Sequence, residues 1–287
     1  MLPKLLIIGA MKSGTTSLYD DLRQHPDIFF PHDKEPHFLC RSDALEGNAV
    51  DEYRRLFTHA RQNQICVDAS TGYTKMPTYT GVAHRAVKLL GDEIQSIYIL
   101  RHPVKRAISH YHHEFVHGRI TQDIDTALRE QPEFIYYSSY AYQVQPWLEK
   151  LGRNQVLLLK FEDFILNRQS TYNHICQWMG LKRFQLRKPN RRINASINKP
   201  LLKGPWKTIA SSSTYRKKIR PLLPTAVVRK LQHMLLPKGP SKLPYPNNET
   251  LSFLAMKLRE DAMEMSHMME SDDCLWDLDM LCCNNQK

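Results

Sequence analysis

One glycine-bracketed turn near the start of the chain restricts its fold more than any other stretch. Leu5, Leu6, Ile7 and Ile8 form an unbroken aliphatic run. That continuity is the mark of a central strand covered on both faces, since a half-exposed strand would alternate. The run meets Gly9-Ala10-Met11-Lys12-Ser13-Gly14-Thr15-Thr16, after which apolar residues recur at helical spacing through Leu22. Strand, tight loop and helix are therefore predicted in that order. A helix starting between Ser13 and Ser17 points its free N–H groups and the positive end of its dipole into the loop, and Lys12 adds a full charge. Such a turn suits an anion, with Lys12, Ser13, Gly14, Thr15 and Thr16 as the residues expected to hold it.

Two further stretches carry chemistry. The familiar ATP-binding order is G-x-x-x-x-G-K-[ST], whereas Lys12 stands two positions before the second glycine, a poor match with no aspartate assignable as a magnesium ligand. A strand predicted over residues 94–100 runs into Arg101-His102-Pro103-Val104-Lys105-Arg106-Ala107-Ile108-Ser109. Proline in the first turn starts a helix well, so Arg101 at the strand end and Ser109 two turns along can converge on one group. A guanidinium fork plus a hydroxyl suits a terminal phosphate dianion. The third stretch, Asp33-Lys34-Glu35-Pro36-His37-Phe38, sets an acid, a base and an imidazole on a proline-stiffened segment beside aromatics. Burial there would raise the carboxyl pKa toward use as a general base. Taken alone, the same residues describe a solvated turn equally well.

Together these stretches resemble sulfotransferases that use 3′-phosphoadenosine-5′-phosphosulfate (PAPS), of the bacterial and carbohydrate type. The first loop resembles their 5′-phosphosulfate loop, residues 101–111 their 3′-phosphate motif R-x-P-x-x-R-x-x-S-x-Y, and Lys34 to Phe38 their K-E-P-H-F segment. The resemblance implies Glu35 as the base, His37 as the runner-up base or its partner, and Arg101 and Ser109 as 3′-phosphate ligands. The basic loop around Arg191 and Arg192 has two readings of its own: it closes over the nucleotide, with Arg191 or Arg192 adding to the 3′-phosphate contacts, or it binds an acidic acceptor. Phe161-Glu162-Asp163 resembles a Y-E-D segment and reads as scaffold. Trp276 matches a tryptophan near the end of many members, so the resemblance spans residues 4–276. Ala69 stands where heparan-type members carry a lysine, which leaves that phosphate-handling lysine absent and weakens the case for a glycosaminoglycan acceptor. The fold implied is α/β, a P-loop-like three-layer domain with a central, mostly parallel sheet of four or five strands flanked by helices.

The remaining residues bound this reading. A chain of 287 residues suits one domain spanning residues 1–287, with a basic, proline-containing insert at about 182–246 and a C-terminal helix at about 248–270. The net charge of +11 favours an anionic ligand, an acidic substrate or an anionic surface. The stretch 216–229 joins basic and aliphatic residues, which suits peripheral contact with anionic lipid. It lacks the interleaved aromatics of single-strand binders, and no nucleic-acid partner is expected. No apolar run approaches the roughly 20 residues of a membrane span, and no export signal is read. The six cysteines form no C-x-x-C framework, so a cytoplasmic, bacterial-type protein with reduced thiols is expected. His110, His112 and His113 share no helix face, and no metal is expected. Other predicted elements are strands at 65–68 and 156–160 and helices at 51–61, 83–90, 138–151 and 170–179. The helix at 138–151 is expected to line the acceptor cleft.

The activity this implies is transfer of a sulfuryl group from PAPS to a hydroxyl, in preference to an amine, of a carbohydrate, lipid or other small acceptor. The product of the donor would be adenosine 3′,5′-bisphosphate. Two other readings stand beside it: a P-loop kinase using ATP and magnesium, and a non-catalytic protein that binds anions or membrane surfaces through its basic region.

Overall fold

The computed structural model describes residues 1–187, 212, 243–279 and 281. Its centre is β1 (Leu5–Gly9), the middle strand of a five-stranded sheet. In order across the sheet lie β2 (Ile28–Phe29), β3 (Ile65–Asp68), β1, β4 (Gln95–Leu100) and β5 (Val156–Lys160), every neighbouring pair parallel. Leu5 sits between Val67 and Gln95, and Ile7 pairs with Ile97. The chain fills the β3 side of β1 before crossing to β4, so the order reverses at β1. The carboxyl end of such a strand opens into the crevice where α/β proteins bind ligands.

The continuous aliphatic runs follow from burial on both faces. Leu5 and Ile7 enter one core with Ile97, Ile99 and Leu159, while Leu6 and Ile8 enter the other with Tyr98 and Leu100. Against the first face pack α1 (Thr15–Leu22) and, farther along the chain, a helix at Arg168–Trp178. Helices α2 (Gly47–Arg55) and α3 (Val82–Leu90) supply residues to the second core. So do α4 (Pro103–Val116), α5 (Ile124–Glu130), α6 (Glu133–Tyr136) and α7 (Tyr140–Leu151). Next come α8 (Phe161–Leu166), α9 (the Arg168–Trp178 helix) and α10 (Asn248–Met268). The expected three-layer architecture with a parallel central sheet is thus the observed one, with β2 and β5 at its two edges.

Several expected boundaries move for local reasons. The helix expected at 51–61 runs instead from Gly47 to Arg55. Its end tightens into three-residue turns, Leu56 to Tyr53 and Phe57 to Arg54, which swing Phe57 into the core beside Tyr53, ring centroids 5.4 Å apart. The short helix Ile124–Glu130 is capped by Asp123, which accepts from the N–H of Thr126, and Ile124, Ala127 and Leu128 are buried. On α10, the apolar stripe from Leu251 to Met265 is core, while Asp261 accepts from the N–H groups of Ala141 and Tyr142 and so caps α7. No helix among the described residues is long and apolar enough to cross a membrane. Cys40, Cys66, Cys176 and Cys274 are free thiols.

Candidate active site

The loop after β1 is shaped by what packs on its two glycines. Gly9 leaves the strand with φ 156°, and a Cβ there would sit 2.2 Å from Thr74 Oγ1. Gly14 has φ 90°, and a Cβ there would lie 2.8 Å from the Phe161 ring. Lys12 also takes a positive φ, 74°. The loop therefore turns within its own length and delivers Gly14 as the N-terminal flank of α1, where no side chain caps the first N–H groups. Those groups and the dipole remain directed at the loop. A buried ion pair fixes the helix from behind: Arg168 of α9 grips Asp21 with bonds of 2.7 and 2.8 Å.

The second motif meets the first. Arg101, at the end of β4, donates from Nη1 to the carbonyl of Lys12 at 3.2 Å, and its guanidinium lies 5.1 Å from the Phe161 ring centroid. Burial pulls its pKa below the usual guanidinium value against the opposing influence of Tyr140 and Glu162. Arg101 makes no ion pair among the described residues. Ser109 follows in α4, partly exposed. Two groups hold this strand end: Tyr140 OH accepts from the Arg101 N–H at 3.3 Å, and Glu162 Oε1 accepts from the His102 N–H at 3.1 Å. Glu162 keeps the scaffold role expected of it, and that role bears directly on Arg101.

The third stretch is joined to the loop by one side chain. Lys34 Nζ donates to Glu35 Oε1 at 2.7 Å and to Thr16 Oγ1, on the first turn of α1, at 3.2 Å. Glu35 also accepts from Thr71 Oγ1 at 2.8 Å, and His37 Nε2 lies 3.3 Å from its Oε2. The sequence-based expectation of a raised carboxyl pKa is corrected here. Burial does push Glu35 upward, but the bond from His37, the charge and bond of Lys34 and the bond from Thr71 outweigh it and hold the group well below the usual carboxylate range. Glu35 is an ionised, fully solicited carboxylate. His37 is turned so that Nδ1 is buried without a hydrogen-bond partner against Gly72, where a Cβ would approach it to 2.5 Å. Its backbone N–H bonds Ser70 Oγ, which in turn donates to the fully buried Asp68.

The structure thus brings Lys12, Ser13, Gly14, Thr15, Thr16, Arg101, Glu35 and His37 to one sheet edge. Arg191 and Arg192, and most of the basic stretch 182–246, lie outside the described residues. Sequence reasoning missed Thr71, which reaches Glu35 from 36 positions away, and Phe161, whose ring fills the space over Gly14 and under Arg101. It also missed Lys75, placed on the ring of Tyr137. The α7 helix contributes Tyr140 to this region from its first turn rather than from an exposed cleft face, since Tyr140, Val144 and Trp147 are buried. Of the three histidines, His110 is buried against Phe134 and Tyr137 and His112 bonds the Pro244 carbonyl. Among the described residues no group of three metal-ligating side chains forms.

The sequence pattern of the sulfotransferase domain matches residues 2–220. The chain is 28% identical over 253 residues to heparan sulfate glucosamine 3-O-sulfotransferase 6 of Homo sapiens, a match covering 82% of this chain and 69% of that protein. It is 24% identical over 246 residues to carbohydrate sulfotransferase 15 of Mus musculus, covering 63% of this chain and 44% of the relative. Among solved structures, a sulfotransferase from Alicyclobacillus acidocaldarius shares the fold with a TM-score of 0.67 at 23% identity, covering 95% of this chain and 98% of that one.

Proposed function

The chain belongs to the sulfotransferase domain family and is a sulfuryl-transferring enzyme of carbohydrate or similar acceptors, and from that premise we propose that its donor is PAPS and its acceptor group a sugar hydroxyl. The observation that carries the donor assignment is the bond from Arg101 to the Lys12 carbonyl. It joins two anion-binding motifs 89 residues apart, as a ligand with phosphate groups at both ends of a nucleoside requires. An ATP-using kinase has no second phosphate cluster for Arg101 and Ser109 to hold.

In this reading Lys12 and the N–H groups opening α1 hold the 5′-phosphosulfate, and Arg101 with Ser109 holds the 3′-phosphate and selects the donor. Glu35 takes the proton of the acceptor hydroxyl as its oxygen attacks sulfur. The new O–S bond forms on one side while the bond from sulfur to the phosphate oxygen breaks on the other. Charge gathers on that departing oxygen, and the lysine and helix dipole are already directed there, so little reorganisation is needed. Glu35 suits the base better than His37: its carboxylate is ionised, whereas the second nitrogen of His37 is enclosed against Gly72. His37 then orients Glu35 through the bond from its Nε2 to Oε2.

Calorimetric titration with adenosine 3′,5′-bisphosphate, set against ATP with magnesium and AMP, tests the donor. Selective binding of the bisphosphate, weakened in Arg101→Ala, is the expected result. Tighter binding of ATP would replace this reading with the kinase.

A further inference from the structure

Asp68 ends β3 as a fully buried carboxyl group that the transfer step does not use. Three hydroxyls bond it: Ser70 Oγ donates to Oδ1 at 2.6 Å, and Tyr53 and Tyr73 donate to Oδ2 at 2.7 and 2.5 Å. Burial pushes its pKa upward against those three bonds. Two of the hydroxyls have a second duty. Ser70 Oγ accepts from the N–H of His37 at 3.0 Å, and Tyr73 OH accepts from the N–H of Leu39 at 3.4 Å. Tyr53 comes from α2 and differs from them, since its ring stacks on Phe38 with centroids 4.1 Å apart.

A hydroxyl has one proton to give. With lone pairs turned to the N–H groups of residues 37 and 39, Ser70 and Tyr73 direct their protons at Asp68, and the carboxylate fixes which way both hydroxyls point. The segment they grip needs such holding. His37 takes φ 53°, in the left-handed region that a side chain disfavours, and a conformation of that kind persists only where its surroundings over-determine it. The ring of His37 lies against Gly72, where a Cβ would reach Nδ1 to 2.5 Å. Thr71, directly after Ser70, gives its hydroxyl to Glu35 Oε2 at 2.8 Å, and His37 Nε2 lies 3.3 Å from the same oxygen. Both contacts on Oε2 therefore start from residues tied to Asp68, one directly and one through its neighbour. The titratable groups facing Asp68 are Tyr53, Tyr73, Cys40 and His37. Those facing Glu35 are Lys34, His37 and, through its field, Lys75.

We propose that Asp68 is a positioning residue for the reaction: through the hydroxyls of Ser70 and Tyr73 it holds residues 37–39 against the turn Thr71–Thr74, and so keeps both contacts on Glu35 Oε2 in place. This rests on the sulfotransferase reading above. Asp68 touches neither reactant, and its loss acts through His37 and Thr71. Misplacing a reacting group by about 1 Å can cost about 10²-fold in rate, which sets the scale of the effect.

The test compares two variants that each remove one hydroxyl from Asp68. Ser70→Ala also cuts the bond to His37, whereas Tyr53→Phe leaves both links to residues 37–39 and the stack on Phe38. The probe is the Glu35 carboxyl carbon, followed by carbon-13 NMR in the full chain labelled at its glutamates and assigned as the signal missing from Glu35→Gln. Titration runs from neutrality down to about pH 4, the ordinary carboxylate region. Glu35 is expected not to titrate in that range in the wild type or in Tyr53→Phe. In Ser70→Ala it should titrate within the range, because weaker bonds to the carboxylate let burial raise its pKa. Asp68→Asn, whose amide accepts on one side only, should move it at least as far. Bisphosphate affinity stays at the wild-type value in all three. With PAPS and heparan sulfate as substrates, Ser70→Ala is expected to be about 10–100-fold slower and Tyr53→Phe unchanged. Equal behaviour of Ser70→Ala and Tyr53→Phe would make Asp68 a core acceptor only and overturn the proposal. So would a folded Asp68→Asn that leaves the Glu35 signal where it is; if that variant does not fold, the first pair decides. A wild type inactive on heparan sulfate faults the acceptor reading alone, because the Glu35 signal tests Asp68 without an acceptor.

Discussion

The two sides of the cleft are built in opposite ways. On the side proposed for the donor, the groups offered are backbone and strand ends: the loop between Gly9 and Gly14, the start of α1 with no side-chain cap, and Arg101 where β4 stops. On the side proposed for the acceptor, they are side chains meeting across irregular segments, Glu35 with His37 and Thr71. The first kind of site follows once the sheet is laid down, because the carboxyl end of β1 and the helix after it have nowhere else to point. The second depends on how particular connections happen to fold over the sheet. Chemistry shared by a scaffold belongs on the first, and the choice of acceptor on the second.

If the two sides are separable in this way, single changes should damage one and spare the other. The largest effect is expected from Glu35→Gln, which removes the base and keeps the shape. Single-turnover rates should fall by about 10²–10⁴-fold, while bisphosphate affinity measured by calorimetry stays within the scatter of the wild type. Loss of both together would mean that Glu35 organises the donor loop through Lys34 rather than serving the acceptor. Next is Arg168→Met, directed at the support of α1. Asp21 would be left buried and unpaired, its side chain 2% exposed, at a cost of about 3–5 kcal/mol. Denaturant unfolding monitored by circular dichroism measures it, and the same loss in Asp21→Asn/Arg168→Met as in the single change would deny that the pair matters as a pair. Arg101→Ala comes third. It should weaken bisphosphate binding by roughly 10–150-fold, the worth of charged hydrogen bonds to a phosphate, with Glu35 chemistry intact once the variant is saturated with donor.

The same contrast explains what could be read from the sequence. The strand, turn and helix start after residue 4 were legible because local signals coincide there: the glycines at 9 and 14 permit the turn, and the aliphatic run that makes the strand also buries it. Arg101 and Pro103 were legible for the same reason, as the end of one element and the start of the next. Glu35 could be singled out, yet its electrostatics came out reversed. The residues that decide them, Thr71 from a later turn and Lys34 folded back onto Thr16, act through tertiary contacts that spacing does not encode. Phe161 read as a substitution in a scaffold segment, and only the packing shows its ring lying over Gly14. The helix at Gly47–Arg55 was misplaced because Phe57 belongs to the core by way of a tightened turn, and apolar spacing alone cannot tell such a turn from another turn of α-helix.

Lys34 is the residue at which the two sides touch, bonding Thr16 on one and Glu35 on the other, and Lys34→Met gives the smallest and most informative effect. The base form of Glu35 exists above its pKa in the folded protein and is lost as pH falls through that value. With Lys34 and His37 in place that value lies well below the usual carboxylate range, so the rate should keep its plateau far into acid. Removing the lysine charge lets burial reassert itself, the pKa rises, and the acid limb of kcat/KM moves to higher pH while the plateau near neutrality persists. A pH–rate profile of both proteins, each saturated with donor, reads this directly. An acid limb that moves with no change in bisphosphate affinity would place Lys34 on the acceptor side alone. An unmoved limb with weakened bisphosphate binding would assign it to the donor loop, where its bond to Thr16 would then be the one that counts. If both change, the two halves of the cleft are coupled through this one ammonium group, and acceptor and donor affinities should then depend on each other in the wild type and become independent in the variant.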